Sequence, residues 1–284
     1  MDISYDTIQL QRRRFSWGPM ALYIILGLGG VTMVLPFLWT LLTALKTFSE
    51  IMTNPYGLPR QWVWSNFIEV FRVVPFLLYF ANTLKITAVC TIGTVATSAI
   101  AAYAFARLRF PGREVIFMCY LGTLMIPRQI TLVPTFLLMK WLGLLDNHLS
   151  LILPGLFSAY GTFLLRQFFL TIPYELEEAA IVDGCGYVRR FVKIILPLAK
   201  PALATLGVIA LIGNWNDFLH PLIFLNSEAK RTLTLGLAIF RGDVDIQWNL
   251  LMAATLLAIL PMVAAFLLAQ RFFVEGIALS GIKG

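Results

Sequence analysis

Glu178-Ala179-Ala180-Ile181-Val182-Asp183-Gly184, followed after nine residues by Ile194-Ile195-Leu196-Pro197, is a polar stretch set between long apolar segments. It reads E-A-A-x3-G-x9-I-x-L-P. Its local chemistry predicts a helix-turn-helix hairpin over about residues 173–197. Pro173 suits a first helical position, and Glu175, Glu177 and Glu178 sit where the positive end of a helix favours acid. Asp183-Gly184 supplies the stop, because glycine takes the left-handed conformation that ends a helix. Arg189, Arg190 and Lys193 then punctuate a second helix that Pro197 closes. Taken without its neighbours, such a loop is a solvated linker.

The surroundings of the hairpin set the class. Apolar residues make up 59% of the chain, charged residues 13%, and the mean hydropathy is +0.80. That is the composition of an all-α integral membrane protein. The balance of 22 Lys+Arg against 15 Asp+Glu would suggest a nucleic-acid partner in a soluble domain. Here several arginines lie in short loops beside apolar spans, as cytoplasmic anchors in a lipid bilayer do, so no nucleic acid is implied.

A helix needs about 20 residues to cross the hydrocarbon core, and six segments reach that length. They run from Trp17 to Leu45, Phe80 to Ala106, Val115 onward across Pro127 and Arg128, Leu149 to Ile172, Pro201 to Leu225, and Trp248 to Gln270. The third is expected to be a broken helix. Six crossings put both termini on one side, and Arg12-Arg13-Arg14 with Arg107, Arg109 and Arg113 mark that side as cytoplasmic. By counting, the hairpin lies there too. The first apolar run is about twice a signal core in length and shows no small-residue cleavage site, so it is expected to be an uncleaved span. No repeat or separable soluble segment is visible, and residues 1–284 are expected to form one transmembrane domain.

Reactive chemistry is sparse. Cys90, Cys119 and Cys185 are odd in number and scattered, fitting small core residues rather than a disulfide framework or zinc site. His148 and His220 are isolated in sequence, so no metal site is expected. There is no G-x-S-x-G, H-E-x-x-H or Walker A pattern; the nearest approach, Gly276 to Lys283, fails because Ile282 separates Gly281 from Lys283. No catalytic residues are expected.

Two polar points fall at membrane depth. Asn214, Trp215, Asn216 and Asp217 lie roughly 20 to 25 Å into the fifth span by the helical rise. An ionisable residue there usually faces a bundle interior or a watery path. One reading is a substrate pathway, in which Trp215 stacks on a sugar ring and Asn and Asp bond hydroxyls. The other is an interhelical hydrogen-bonded knot that shapes a helix break before Pro221. In the third span, unwound backbone near Pro127 and Pro134 turns Gln129 toward the pathway, while Arg128 snorkels at a helix end.

The E-A-A-x3-G-x9-I-x-L-P stretch resembles the cytoplasmic coupling loop of permease subunits in binding-protein-dependent ABC importers. Asn82-Thr83-Leu84, Tyr103-Ala104-Phe105-Ala106-Arg107, the Ile126 to Pro134 stretch, Trp215-Asn216-Asp217-Phe218 and the tail Gln270 to Gly276 with Gly281-Ile282-Lys283-Gly284 look like the shorter, maltose-type sugar permease. The resemblance spans nearly the whole chain and implies a type I ABC importer permease fold in a bacterial or archaeal cytoplasmic membrane. It assigns Glu175, Glu178, Ala179, Ala180, Asp183 and Gly184 to ATPase coupling. The tail, about residues 271–284, would reach between two ATPase subunits through Gly281, Ile282, Lys283 and Gly284. Arg241, Gly242 and Asp243 would touch an extracytoplasmic solute-binding protein. A second permease subunit in a heterodimer, an ABC ATPase dimer that binds ATP and Mg in place of this chain, and a carbohydrate cargo are the partners implied. Transport of a non-sugar solute is one alternative. Another is an ion-coupled secondary transporter using Asp217, and a membrane enzyme would need paired catalytic residues that are not seen.

Overall fold

The computed structural model describes residues 17–242 and 246–280, and among them every regular element is helical. The first half comprises α1 (Trp17–Ala44), α2 (Phe48–Thr53), α3 (Ser65–Val73), α4 (Phe76–Arg107), α5 (Arg113–Gly122), α6 (Arg128–Trp141), α7 (Leu149–Gly155) and α8 (Ala159–Thr171). The second comprises α9 (Glu175–Val182), α10 (Tyr187–Arg190), α11 (Leu196–Leu198), α12 (Lys200–Trp215), α13 (Leu219–Phe224), α14 (Leu233–Ile239) and α15 (Trp248–Ser280).

Four stretches are apolar and long enough to cross a membrane: Leu22–Ala44, Phe76–Arg107, Leu149–Thr171 and Trp248–Leu268. Two bent pairs raise the number to six. Arg113–Met125 and Arg128–Trp141 meet at 100°, and Tyr187–Leu198 and Lys200–Trp215 at 78°. The first bend follows from Pro127, which pushes Ile126 into extended backbone (ψ 114) and ends the helix before it.

The fifth span departs from expectation. Its helix does not run to Leu225 but stops at Trp215, and a separate short α13 follows. Sixteen residues cover roughly 24 Å, less than the ~30 Å core, so the break falls within membrane depth. The fourth span is likewise interrupted between Gly155 and Ala159. Its freed carbonyls are taken up by α4, whose Thr94 and Thr97 hydroxyls donate to Gly155 O at 2.7 Å and Leu156 O at 2.6 Å. Lipid offers no hydrogen bonds, so a break of this kind needs a neighbouring helix to satisfy it.

Small residues set the spacing between α4, α8 and α12. Ala102 of α4 is fully buried, whereas Ala88 and Ala96 face outward. On α8, a Cβ at Gly161 would come within 2.6 Å of Ser98 Oγ and 3.0 Å of the Leu206 methyls. Two apolar clusters result. One joins Ala44, Val70, Tyr79, Trp215, Phe240 and Ala254 at one end of α4. The other joins Ala102, Tyr103, Leu165, Phe169, Ile195 and Leu206 at the opposite end, directly under the hairpin. From Leu22 to Leu38, α1 keeps its side chains outside both, as a helix apolar all round does when it faces lipid or a partner subunit.

Candidate functional site

The hairpin's helix begins two residues later than the sequence suggests. Tyr174 is the N-cap, so Pro173 precedes the helix rather than opening it, and Glu177 occupies the third helical position. The turn has the geometry of a Schellman motif. Cys185 N donates to Ala180 O at 2.8 Å, Gly184 N to Ile181 O at 2.9 Å, and Gly184 has φ +75°. Only glycine adopts that backbone without cost. Beyond the turn, α10 runs into a π-helical turn over Phe191–Ile195, whose wider hydrogen-bond spacing admits Pro197 without stopping the helix. The second helix therefore ends at Leu198 rather than at Pro197.

Two faces of the hairpin differ in chemistry. Glu175, Glu178, Ala179, Asp183 and Gly184 are exposed, while Ala180 is buried. Between the exposed acids stand bare apolar side chains, with Val182 88% and Val188 77% accessible, and Ile181 and Tyr187 beside them. A solvated linker would not present such a patch at its tip. It suits a protein partner.

The opposite face holds a cluster that the sequence reading missed. Glu177, 1% exposed, faces Arg107 of α4 and Arg190 of α10, with nitrogen to oxygen distances of 3.2 and 3.6 Å and both guanidinium side chains 6% exposed. Arg107 Nε and Glu177 Oε1 lie within ion-pair range without the alignment of a hydrogen bond. The Tyr103 hydroxyl is 3.1 Å from Glu177 Oε2 and 3.4 Å from Tyr187 O. Two arginines against one carboxylate leave a surplus positive charge. Arg107 places it on the C-terminal end of α8, donating to Phe169 O and, at 2.5 Å, to Ile172 O, where helix carbonyls favour a cation. Removing one member of a buried ionic set leaves its partners unpaired, a change worth about 3–5 kcal/mol. The available signal was spacing. Tyr103 and Arg107 share one face of α4 at i and i+4, and Glu177 and Ala180 share one face of α9 at i and i+3.

The membrane-depth residues separate into different environments. Trp215 is 5% exposed, packs edge-on against Phe80 at 5.7 Å and donates from Nε1 to Ala258 O at 3.2 Å. It is a core residue, so its ring is not free to stack on a sugar. Asn214 and Asn216 bond back to Ala210 O and Ile212 O. Asp217 accepts from His220 N at 3.3 Å and pairs with His220 Nδ1 at 2.9 Å, so neither residue is isolated. His148 is not isolated either, since its Nε2 meets Lys230 O at 2.9 Å. Thr83, Asn214, Asp217 and Thr232 border a cavity of about 20 Å³. That exceeds the ~10–15 Å³ needed for one water but is far below the room a sugar needs.

Gln129 is exposed in the first turn of α6, just beyond the bend, and Arg128 is exposed beside it. Arg241 and Gly242 are exposed on the loop before α15; Asp243 lies outside the described residues, as do Gly281, Ile282, Lys283 and Gly284. Among the described residues no group of His, Cys, Asp and Glu could hold a metal.

These broken spans and the polar hairpin between them define a helical, multi-span membrane protein. The family described as binding-protein-dependent transport system inner membrane component matches residues 31–278, and the chain belongs to it. It is similar to the probable ABC transporter permease protein YurM of Bacillus subtilis (strain 168), at 35% identity across 96% of this chain and 91% of that protein. It is also similar to the sn-glycerol-3-phosphate transport system permease protein UgpE of Yersinia pestis bv. Antiqua (strain Antiqua), at 36% identity across 90% and 94%. A crystal structure of a bacterial ABC transporter involved in the import of the acidic polysaccharide alginate shares the fold, with a TM-score of 0.79 at 24% identity over 90% of this chain and 96% of that one. The protein is thus a multi-pass, non-catalytic permease subunit of a binding-protein-dependent importer.

Proposed function

We propose that this chain is one of two permease subunits lining the path of a carbohydrate-class cargo through the cytoplasmic membrane, and that its hairpin docks into a separate ATPase that binds ATP and Mg. The observation that carries the reading is the hairpin's division into two faces. Val182, Val188 and the acids Glu175, Glu178 and Asp183 are exposed at the tip, while Glu177 is locked into the bundle at the base. The hairpin, the tail and both termini would face the cytoplasm, and the loop around Arg241, Gly242 and Asp243 would face the binding protein. Residues 1–284 would act as one transmembrane domain.

The cargo class rests on relatives named for sn-glycerol-3-phosphate and for the polysaccharide alginate. Both are polyhydroxylated and carry acid groups. Gln129, Asn214, Asn216 and Asp217 offer amide and carboxylate partners for hydroxyls along such a path. Water-sized space beside Asp217 fits a pathway closed at that level, opening when ATP-driven closure of the ATPase rocks the two permease halves apart.

Docking is tested by Val182→Glu, which puts a charge at the centre of the apolar tip without touching the buried base. Co-purification of the ATPase with the permease should fall by roughly tenfold or more, as expected for burying an unpaired charge in an interface. Undiminished co-purification would refute docking through this hairpin.

A further inference from the structure

We infer that Glu177 is the joint through which movement of the hairpin reaches the transmembrane helices, a positioning residue for coupling rather than a contact with the ATPase. The inference rests on the docking of the hairpin proposed above and assigns the step that follows it.

Glu177 is the one acid of the first turn of α9 that faces inward; Glu175 and Glu178 face out. Its carboxylate gathers groups from separate elements: Tyr103 and Arg107 from α4 and Arg190 from α10. Arg107 extends the set to the end of α8 through Phe169 O and Ile172 O. Both arms of the hairpin and the ends of two membrane helices are therefore tied together through Glu177 and its partner Arg107.

Charge makes this joint stiff in a way apolar packing would not be. Sliding the hairpin along α4 by a fraction of a turn would leave a buried carboxylate and two guanidinium groups unpaired, so the elements move together or the cluster breaks. The apolar ring around it, Tyr103 against Phe191 at 5.0 Å between ring centres and Ile195 fully buried, would tolerate such a slip at lower cost. Coupling needs a shared element whose arrangement both sites bias. At its far end, α4 holds the loop before α14, with Asn82 Nδ2 donating to Ala229 O at 3.0 Å and Arg231 O at 2.9 Å, and Leu233 N donating to Thr83 Oγ1 at 2.7 Å. A push delivered at Arg107 is thereby felt at the opposite end of the bundle.

The test uses the assembled importer with its ATPase and binding protein in lipid nanodiscs, with MgATP and orthovanadate as the probe. Hydrogen exchange is followed by mass spectrometry in three regions: residues 174–196, 142–148 and 214–232. In the unaltered importer, the probe should change exchange in all three. Glu177→Gln keeps the shape and removes the charge; Arg107→Gln cuts the tie to α4 and leaves Glu177 paired with Arg190, so it stands in if the first variant fails to assemble. In an assembled variant the hairpin response should persist, while the response at 142–148 and 214–232 shrinks by about fivefold or more, the lower range of an allosteric coupling. Undiminished distant responses in the assembled variants overturn the inference. Loss of assembly in both also overturns it, because the cluster would then hold the fold and not relay motion. If the hairpin of the unaltered importer shows no response, docking itself fails, and the inference falls with it for that separate reason.

Discussion

Trp215 and Asp217 are two residues apart and do opposite things. The indole is buried on Phe80 and donates to the Ala258 carbonyl of α15. Asp217 sits past the end of α12, where its carboxylate caps the start of α13 through His220 N and its own carbonyl accepts from Thr234 Oγ1 at 2.7 Å. Truncating the first should empty a packed site, and Trp215→Ala is expected to lower the stability of the assembled complex by about 3–5 kcal/mol, read as a lower melting temperature. Asp217→Asn retains an oxygen to accept from His220 and removes only the charge. If Asp217 lines the cargo path, that variant should assemble with a near-normal melting temperature yet alter the relative uptake of competing polyhydroxylated solutes. Reduced stability with unchanged preference would place Asp217 among the structural ties and end its assignment to the path.

The element that joins the far loops behaves as a polar latch. Asp146, at φ +53°, accepts from the Ser227 hydroxyl, from Ser227 N at 2.9 Å, from Asn226 N at 3.0 Å and from Lys230 Nζ at 3.1 Å. These bonds, the Ser227 hydroxyl foremost, hold its carboxyl well below the usual carboxylate range. His148 closes the latch from the other side, and burial pushes its imidazole below the ordinary 6.5. A depressed histidine pKa means that the unfolded chain binds the proton more readily. The stabilising contribution is therefore complete above about pH 6.5 and is lost as pH falls through the folded value. The latch should loosen on mild acidification long before Asp146 titrates. Hydrogen-exchange protection at residues 144–148 and 226–231, taken relative to the intrinsic exchange rate at each pH, is expected to fall between neutral and mildly acid pH, and His148→Gln should flatten that dependence. An equal loss of protection in the variant would remove His148 as the cause.

Over the whole molecule, α4 links two polar ends. From Tyr79, whose hydroxyl lies 3.3 Å from Glu228, to Arg107 in the ionic cluster is about 42 Å at 1.5 Å per residue, comparable with a bilayer including its headgroups, ~40–45 Å. The hairpin and its turn could be read in the sequence because Gly184 and the acid run are local signals; the inward turn of Glu177 could not, since it depends on Arg107 arriving from some 70 residues earlier. Likewise, Pro127 announced a bend. A break before Pro221 is one reading of the Asn214 to Asp217 stretch; its position at Trp215 is not legible, because the bonds of Asp217 that follow it are local to His220 but tertiary to Thr234. The positions of the two polar ends bear directly on orientation. Arg107 and the short loop of Arg109 and Arg113 share the hairpin's end, and arginines beside a span favour the cytoplasmic side, whereas Ala229 belongs to the opposite end through its bond with Asn82. With Cys90, Cys119 and Cys185 replaced, Arg109→Cys should react with an impermeant maleimide only in inverted membrane vesicles, and Ala229→Cys only in intact cells made permeable at the outer envelope. Both sites are exposed, so failure to label reports sidedness rather than burial. The reverse pattern would turn the hairpin away from any cytoplasmic ATPase and overturn the orientation together with the docking that depends on it.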